Sequence, residues 1–347
     1  MPAQFDNFTK NDIVSTTTML HEVIPITASI VSGTYGDFTT EGNIKNYTHG
    51  MFQSVYDYPY LSSSSNHIFD LTVGYDESSV CSGSTSVQNA KKINMYNQLA
   101  QTSLGYSGSS NTVKMFELDK VADEVGKAPE CLFITLGRLI TKDQIKVGSV
   151  NLQLGTGSFG APFRNTIKTL TDTASSDTAG TFSTIAGDCG LLLDSVSGLA
   201  EGLVFYQQGT LVLGTGSFVN GTSDFYVNPT HGSQSIRQTL TGSSITGSCN
   251  ALRHRIYNLS YNNTTEINST IYFCGIPANS NNFSTNRTYT SGGKIVVKNV
   301  PSDSPVTYIT TVGLYNANNE LLATAKLSEP LKKDPSNELT LRLRLDY

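Results

Sequence analysis

Few residues in this chain stand at spacings that chemistry uses. His21 and Glu22 open an H-E-x-x-H zinc pattern, but Pro25 holds the place of the second histidine, so two imidazoles cannot converge from one helix turn. His49, His67, His231 and His254 are scattered and read as surface or satisfied core residues. Gly155, Gly157 and Gly160 spell G-x-G-x-x-G after an apolar run. A dinucleotide site needs a helix to open at the third glycine, and here Pro162 and the breaker-rich TLTDTASSDTAG follow, so no cofactor is expected. No G-x-S-x-G nucleophile elbow and no phosphate-binding G-x-x-x-x-G-K-[ST] loop occurs. Carboxylate pairs for glycoside hydrolysis, such as Asp188 with Asp194 or Asp172 with Asp177, sit in Gly/Ser/Thr-rich stretches, where Asp commonly bonds its own backbone. These patterns predict no catalytic residue, no metal ligand and no enzyme.

Aromatic side chains are the remaining candidates. There are 17 Tyr and no Trp, and YDYPY places Tyr56, Tyr58 and Tyr60 at alternate positions, a candidate contact patch for a sugar or a protein. The five cysteines, Cys81, Cys131, Cys189, Cys249 and Cys274, are widely spaced and never form C-x-x-C. Free thiols made in a reducing cytoplasm are expected, with Cys131 and Cys274 acting as small hydrophobes in the apolar runs CLFITLGRLI and IYFCGI.

The elements that would carry these residues are mostly strands. VIPITASIV and MFQSVYDYPYLSSSSNHIFDLTVGYD mix short β runs with turns. One helix is evident from Ser86 to Leu104, where Val87, Ala90, Ile93, Met95, Tyr96, Leu99 and Ala100 recur at helical spacing; Ser84 or Ser86 can cap its start and Gly105 can close it. A shorter helix is predicted from Leu118 to Val125. CLFITLGRLI and SVNLQLGTG read as two strands of a hairpin, and GLVFYQQGTLVLG as a second hairpin turning at Gln207 and Gln208. Thr169 to Ser183 and Phe218 to Asn250 read as polar loops. The words LGTGSFG at Leu154 and LGTGSFV at Leu213 read as two similar strand ends.

After residue 250 the pattern is clearest. RIYNLSYNN, STIYFCGI, GGKIVVKNV, VTYITTVGLYN, ELLATAKL and NELTLRLRLDY are six strand candidates, with Asn316, Asn318 and Asn319 in a turn. In the last, Leu339, Leu341, Leu343 and Leu345 alternate with Thr340, Arg342, Arg344 and Asp346, which makes Arg342, Arg344 and Asp346 the outer face of a candidate assembly strand. The fold class expected is mainly β with an α+β N-terminal part: antiparallel β-sandwich or barrel domains, one prominent helix and long polar loops. The expected domains are 1–150 (α+β), 151–250 (hairpins and loops) and 251–347 (antiparallel β).

Composition narrows the function classes. With 23 Lys+Arg against 28 Asp+Glu the formal net charge is −5, and no stretch concentrates base, so nucleic acid is not an expected partner. No run approaches the ~18 to 20 apolar residues of a membrane span, and MPAQFDNFTKNDIVS has no basic region leading into an apolar one, so neither membrane insertion nor standard export is expected. The N-x-S/T sequons from Asn7 to Asn286 are what an Asn/Ser/Thr-rich chain yields by chance.

Two long segments, LRHRIYNLSYNNTTEINSTIYFC (Leu252 to Cys274) and TYITTVGLYNANNELLATAKLSEPLKKDPSNELTLRLRLDY (Thr307 to Tyr347), resemble virion structural proteins of large contractile-tailed phages, best represented among marine and cyanobacterial phages. SVYDYPYLSSSSNHIFDLTVG, KKINMYNQLAQ, FITLGRLITKDQIKVGSVNLQLG and GLVFYQQGTLVL are similar too. The resemblance implies a structural subunit of a phage particle, in the tail, baseplate or neck, made in the host cytoplasm and partnered by copies of itself and by other virion proteins. It brings no catalytic residues. A receptor- or carbohydrate-binding module of a tail appendage is the alternative. Removal of the last ten residues is expected to destabilise the C-terminal domain, because four leucines would be lost at roughly 2 to 5 kcal/mol per large buried side chain; thermal melting of the truncated protein checks this.

Overall fold

The computed structural model describes residues 6–27, 30, 42–83, 85–107, 112–119, 126–156, 167–176, 180–218, 225–226, 233–242, 244–282, 290–291, 294–295 and 306–347. The chain forms two compact units, Leu20–Thr265 and Met1–Met19 with Glu266–Tyr347. Residues 150 and 250, the boundaries expected from sequence, both lie within the larger unit. The class is the expected one, mainly β and antiparallel, and no closed barrel forms among the described residues. Among the described residues no helix is long and apolar enough to cross a membrane.

The strands of the larger unit are the second part of β1 (Ile13–Thr27), then β2 (Ile44–Asn46), β3 (Gln53–Tyr56), β4 (His67–Tyr75), β5 (Glu130–Leu136), β6 (Gln144–Ile145), β7 (Asn151–Gly155), β8 (Ile167–Thr171), β9 (Phe182–Thr184), β10 (Gly187–Asp194), β11 (Ala200–Phe205), β12 (Thr210–Gly214), the small pair β13 (Phe225–Tyr226) and β14 (Ser233–Gln234), and the first half of β15 (Ile256–Ile276). The main sheet runs β15-β7-β8-β10-β11-β12-β5-β4-β3-β2, with β9 on β10 and β6 on β15. Its helices are α1 (Val87–Ser103), α2 (Arg138–Thr141), α3 (Thr173–Ser176), α4 (Ile236–Gly242) and α5 (Ile245–Arg253).

Strand β5 is buried on both faces, which explains its unbroken apolar run. Leu132, Ile134 and Leu136 join one core with Leu211 and Leu213 of β12 and with Leu240, Cys249 and Leu252 of α4 and α5. Cys131 and Phe133, pointing the other way, join a second core with Val212, Phe205 and the α1 residues Tyr96 and Ala100. Helix α1 starts as expected, with the Ser86 hydroxyl accepting from the Asn89 N–H, and it ends at Gly105, whose φ of +77° suits glycine alone. Its buried face differs from the apolar spacing: Val87 is exposed while Asn89 and Lys92 are buried. Asn89 is kept there by hydrogen bonds, accepting from the Tyr75 hydroxyl (2.6 Å) and donating to the Ser82 carbonyl (2.9 Å).

The β11/β12 hairpin forms as predicted. CLFITLGRLI and SVNLQLGTG do not pair: β4 and β12 occupy both edges of β5, while β7 pairs with β8 and β15. The two LGTGSF words do begin at strand ends, since Leu154–Gly155 close β7 and Leu213–Gly214 close β12. The stretch Thr169 to Ser183 is not simply a loop, because it carries the end of β8, α3 and the start of β9; 177–179 lie outside the described residues. Phe218 to Asn250 contains α4 and most of α5, whose Ile236, Leu240, Ile245 and Cys249 reach the core, and the rest of it is only partly described. Of the helix expected at Leu118 to Val125, Leu118 and Asp119 form a bend and 120–125 lie outside the described residues.

In the smaller unit, β15 from Glu266 onward is the middle strand between β1 up to Met19 and β20 (Leu339–Asp346). RIYNLSYNN and STIYFCGI, expected as two strands, are the continuous β15, with no turn residue between them. β18 (Thr307–Tyr315) and β19 (Leu321–Lys333) form a separate hairpin, and β16 (Thr290–Ser291) pairs with β17 (Lys294–Ile295), the one described part of the expected strand GGKIVVKNV. The expected Asn turn joins β18 to β19: the Asn316 side chain accepts from the N–H groups of Asn318 and Glu320, and Asn319 has φ +64°. β20 alternates as predicted, but its leucines are only half-buried, so each costs less on truncation than a fully buried side chain.

Gly74 of β4 lies directly under α1. A Cβ there would stand 2.7 Å from the Lys92 carbonyl oxygen and 2.8 Å from the Tyr96 nitrogen, both backbone atoms that cannot turn aside. Gly74→Ala is expected to destabilise the larger unit by about 1 to 3 kcal/mol through overpacking. The midpoint of chemical denaturation reads this, and an unchanged midpoint is incompatible with that contact.

Candidate assembly surface and aromatic patch

Two surfaces stand out, one in each unit. In the smaller unit the first is the sheet β1-β15-β20. Ile13 to Met19 of β1 are exposed at every position, and Ile13, Val14 and Met19 stand 38%, 43% and 54% open. Within this unit the β1 side chains at Ser15 and Thr17 bond across to Thr270 and Asn268 of β15. On β20 the Arg344 Nε donates to Asp346 Oδ1 (2.7 Å), which also accepts from the Ser269 hydroxyl (2.6 Å). These bonds, from Ser269 first and Arg344 second, hold the Asp346 carboxyl below the ordinary range. Arg342 shares that exposed face. Between this sheet and the β18/β19 hairpin lies a cleft of about 1270 Å³, lined by Phe8, Phe273, Ile309, Leu314 and Leu341 among others.

The second surface is on the β2-β3-β4 edge of the larger unit. It brings Tyr56 and Tyr60 together (centroids 6.2 Å apart) and sets Tyr56 edge-on to His67 at 5.5 Å. The Lys45 ammonium lies 4.9 Å from the Tyr47 ring centre and 5.9 Å from that of Tyr60. Tyr47 in turn stacks on His49 (5.1 Å) and meets Phe52. Burial and the neighbouring Tyr47 push the Tyr56 phenol upward. Tyr58, the third tyrosine expected here, is 58% exposed and has no ring partner in this cluster. Sequence reading missed Lys45, Tyr47, His49, Phe52 and His67; the signal was the pairing of β2 with β3, which sets Asn46 opposite Gln53 and so brings Tyr47 and Phe52 together.

Beneath the patch, Asp70 accepts from both the Ser54 hydroxyl and His67 Nε2. The carboxylate stands between serine and histidine, so the imidazole cannot take the serine proton, and this is no hydrolytic triad. Stacking surfaces, a cation and a fixed carboxylate suit binding by contact.

The remaining ionisable candidates hold structure. Asp172 accepts from the N–H groups of Gly148 and Val150 and from the Tyr206 hydroxyl, while burial raises its pKa. Asp194 caps its own turn through the N–H groups of Val196 and Ser197 and the Ser197 hydroxyl. Asp188 lies in β10 opposite Ser183. Asp177, Gly157, Gly160 and His231 lie outside the described residues. Among the described residues no group of three His, Cys, Asp or Glu could hold a metal ion. All five cysteines are free, four of them buried.

Lys92 is the most perturbed cation. It is 1% exposed, donates to the Leu240 carbonyl, and burial lowers its pKa to about 8, an effect partly offset by the Cys81 and Cys249 thiols. The unfolded chain holds the Lys92 proton more tightly than the fold does, so stability linked to this group is full above pH ~10.5 and is lost as pH falls toward 8. Native protein is therefore expected to gain about 2 to 4 kcal/mol relative to Lys92→Met between pH 8 and 10.5, read by urea titrations at each pH.

No protein family, no curated protein and no solved structure matches the chain.

Proposed function

We propose that this protein is a structural subunit of a phage particle, in the tail, baseplate or neck, acting through contacts with copies of itself and with neighbouring virion proteins. The observation that carries the reading is the smaller unit. Its buried apolar side chains among the described residues are Val306 and Leu314, whereas both hydrophobic cores belong to the larger unit. A unit of about 100 residues ordinarily needs a substantial core to be stable. A strand exposed on both faces, half-covered leucines and a cleft of mixed polar and apolar lining suit a unit whose burial is completed by other subunits. The resemblance of Leu252 to Cys274 and Thr307 to Tyr347 to virion structural proteins supports the same reading.

The alternative, a receptor- or carbohydrate-binding module of a tail appendage, has one observation in its favour: the Lys45–Tyr47–Tyr56–Tyr60–His67 patch.

For the assembly reading, the protein is expected to give a defined oligomer by light scattering, and its peptides are expected in purified particles of the phage that encodes it. A strict monomer absent from particles overturns it. For the alternative, a glycan array is the check: binding lost in Tyr60→Ala and kept in Tyr58→Ala is the expected signature, and a blank array removes that reading.

A further inference from the structure

The smaller unit exposes several strand edges, and proteins normally protect such edges with charge, proline or a bulge. β20, whose partner is β15, carries Arg342, Arg344 and Asp346 on its exposed face. In the hairpin, β19 carries Lys326, Glu329, Pro330 and Lys332, and β18 is broken by register shifts at Ile309/Thr311 and Leu314/Tyr315. The Ile13–Met19 stretch of β1 has none of these protections, which occur only further along the strand at Glu22 and Pro25. From Ile13 to Met19 it reads IVSTTTM, with no charged residue and no proline. The Ser15 hydroxyl bonds to that of Thr270 and the Thr17 hydroxyl to Asn268, the same offset at both pairs, so the strand runs regularly from Ser15 to Thr17. It ends the sheet order, with β15 its strand partner.

We propose that the Ile13–Met19 edge of β1 pairs antiparallel with the same edge of a second copy of this chain, across a two-fold axis at Thr16. This names the first partner within the assembly reading above and rests on it. A second copy fits for three reasons. The smaller unit holds nine basic and nine acidic residues by sequence, so two such units meet without net repulsion. The register centred on Thr16 overlaps all seven residues. It sets Thr16 against Thr16, Ser15 against Thr17, Val14 against Thr18 and Ile13 against Met19, so that the central hydroxyls meet hydroxyls, β-branched Val14 meets β-branched Thr18, the apolar ends Ile13 and Met19 meet each other and no charges face each other. A two-fold is also the commonest closed symmetry, and it leaves no growing edge.

A seven-residue edge buries less than the roughly 1,200 Å² typical of a stable complex, so the isolated dimer is expected to be weak and to depend on concentration. Sedimentation of the full-length protein over a concentration series measures it. The double variant Thr16→Lys/Thr18→Lys is expected to weaken dimerisation at least tenfold with unchanged melting, because both side chains are exposed. Thr16→Cys is expected to give a disulfide-linked dimer under mild oxidation that the native protein, with its own five cysteines, does not give. An oligomer untouched by the lysines and uncrosslinked through Thr16→Cys overturns the β1 pairing, as does a monomer whose peptides are nonetheless found in particles; both results leave the assembly reading in place. A monomer absent from particles overturns the two together.

Discussion

Strand β5 has no face to give to water, and the architecture of the larger unit follows from that. A strand buried on both sides must have its whole backbone satisfied by neighbours, which β4 and β12 do, and must have a layer over each face. One layer is α1, whose backbone comes so close that only glycine fits at position 74 of the adjoining strand. The other is α4 with α5, anchored by Leu240, Cys249 and Leu252. Several of the polar residues that intrude into this interior carry their partners with them, although the Thr210 hydroxyl on β12 has none among the described residues. Tyr96 shows the economy: its hydroxyl donates to the Ala128 carbonyl and accepts from the Phe116 N–H, while its ring packs on Phe116 and Phe133.

The smaller unit is built from the same kind of strand and, among its described residues, lacks that interior. Its residues alternate cleanly, yet the inward positions of β20 remain half-covered and those of β1 are open. The contrast is one of partners within the chain, since alternation provides a face to bury and does not provide what buries it. Among the described residues the α-helices all lie in the larger unit, and the smaller is sheet with one short 3-10 turn at Lys10–Asp12, so the chain concentrates its self-sufficient packing in one unit.

Legibility followed the range of the interactions. Local signals were plain: the Ser86 cap, Gly105 at the helix end, the β11/β12 turn and the Asn316 turn could all be read, because each is decided within a few residues. The partners of β5 and β7 could not, since both runs suit a hairpin and only competition from distant strands excludes it. α4 and α5 were obscured by their Gly, Ser and Thr content, although Ile236 and Leu240, and Ile245 and Cys249, do stand four residues apart. Lys92, which stands outside the apolar spacing of its helix, is buried and held by a carbonyl from α4 some 148 positions away. The aromatic patch was half legible. YDYPY identified Tyr56 and Tyr60, while Lys45, Tyr47 and His67 arrive from neighbouring strands whose register no local pattern discloses.

The cysteines set how the molecule meets a change of surroundings. Burial pushes all five thiols upward, with Cys131 and Cys249 wholly enclosed, so the reactive thiolate is scarce at neutral pH. Sulfur that is neither ionised nor reachable exchanges slowly with disulfides and resists oxidation to the sulfenic acid. The four buried cysteines are then indifferent to a change of redox potential, and Cys274, only part-covered on β15, is the thiol that an oxidant reaches first.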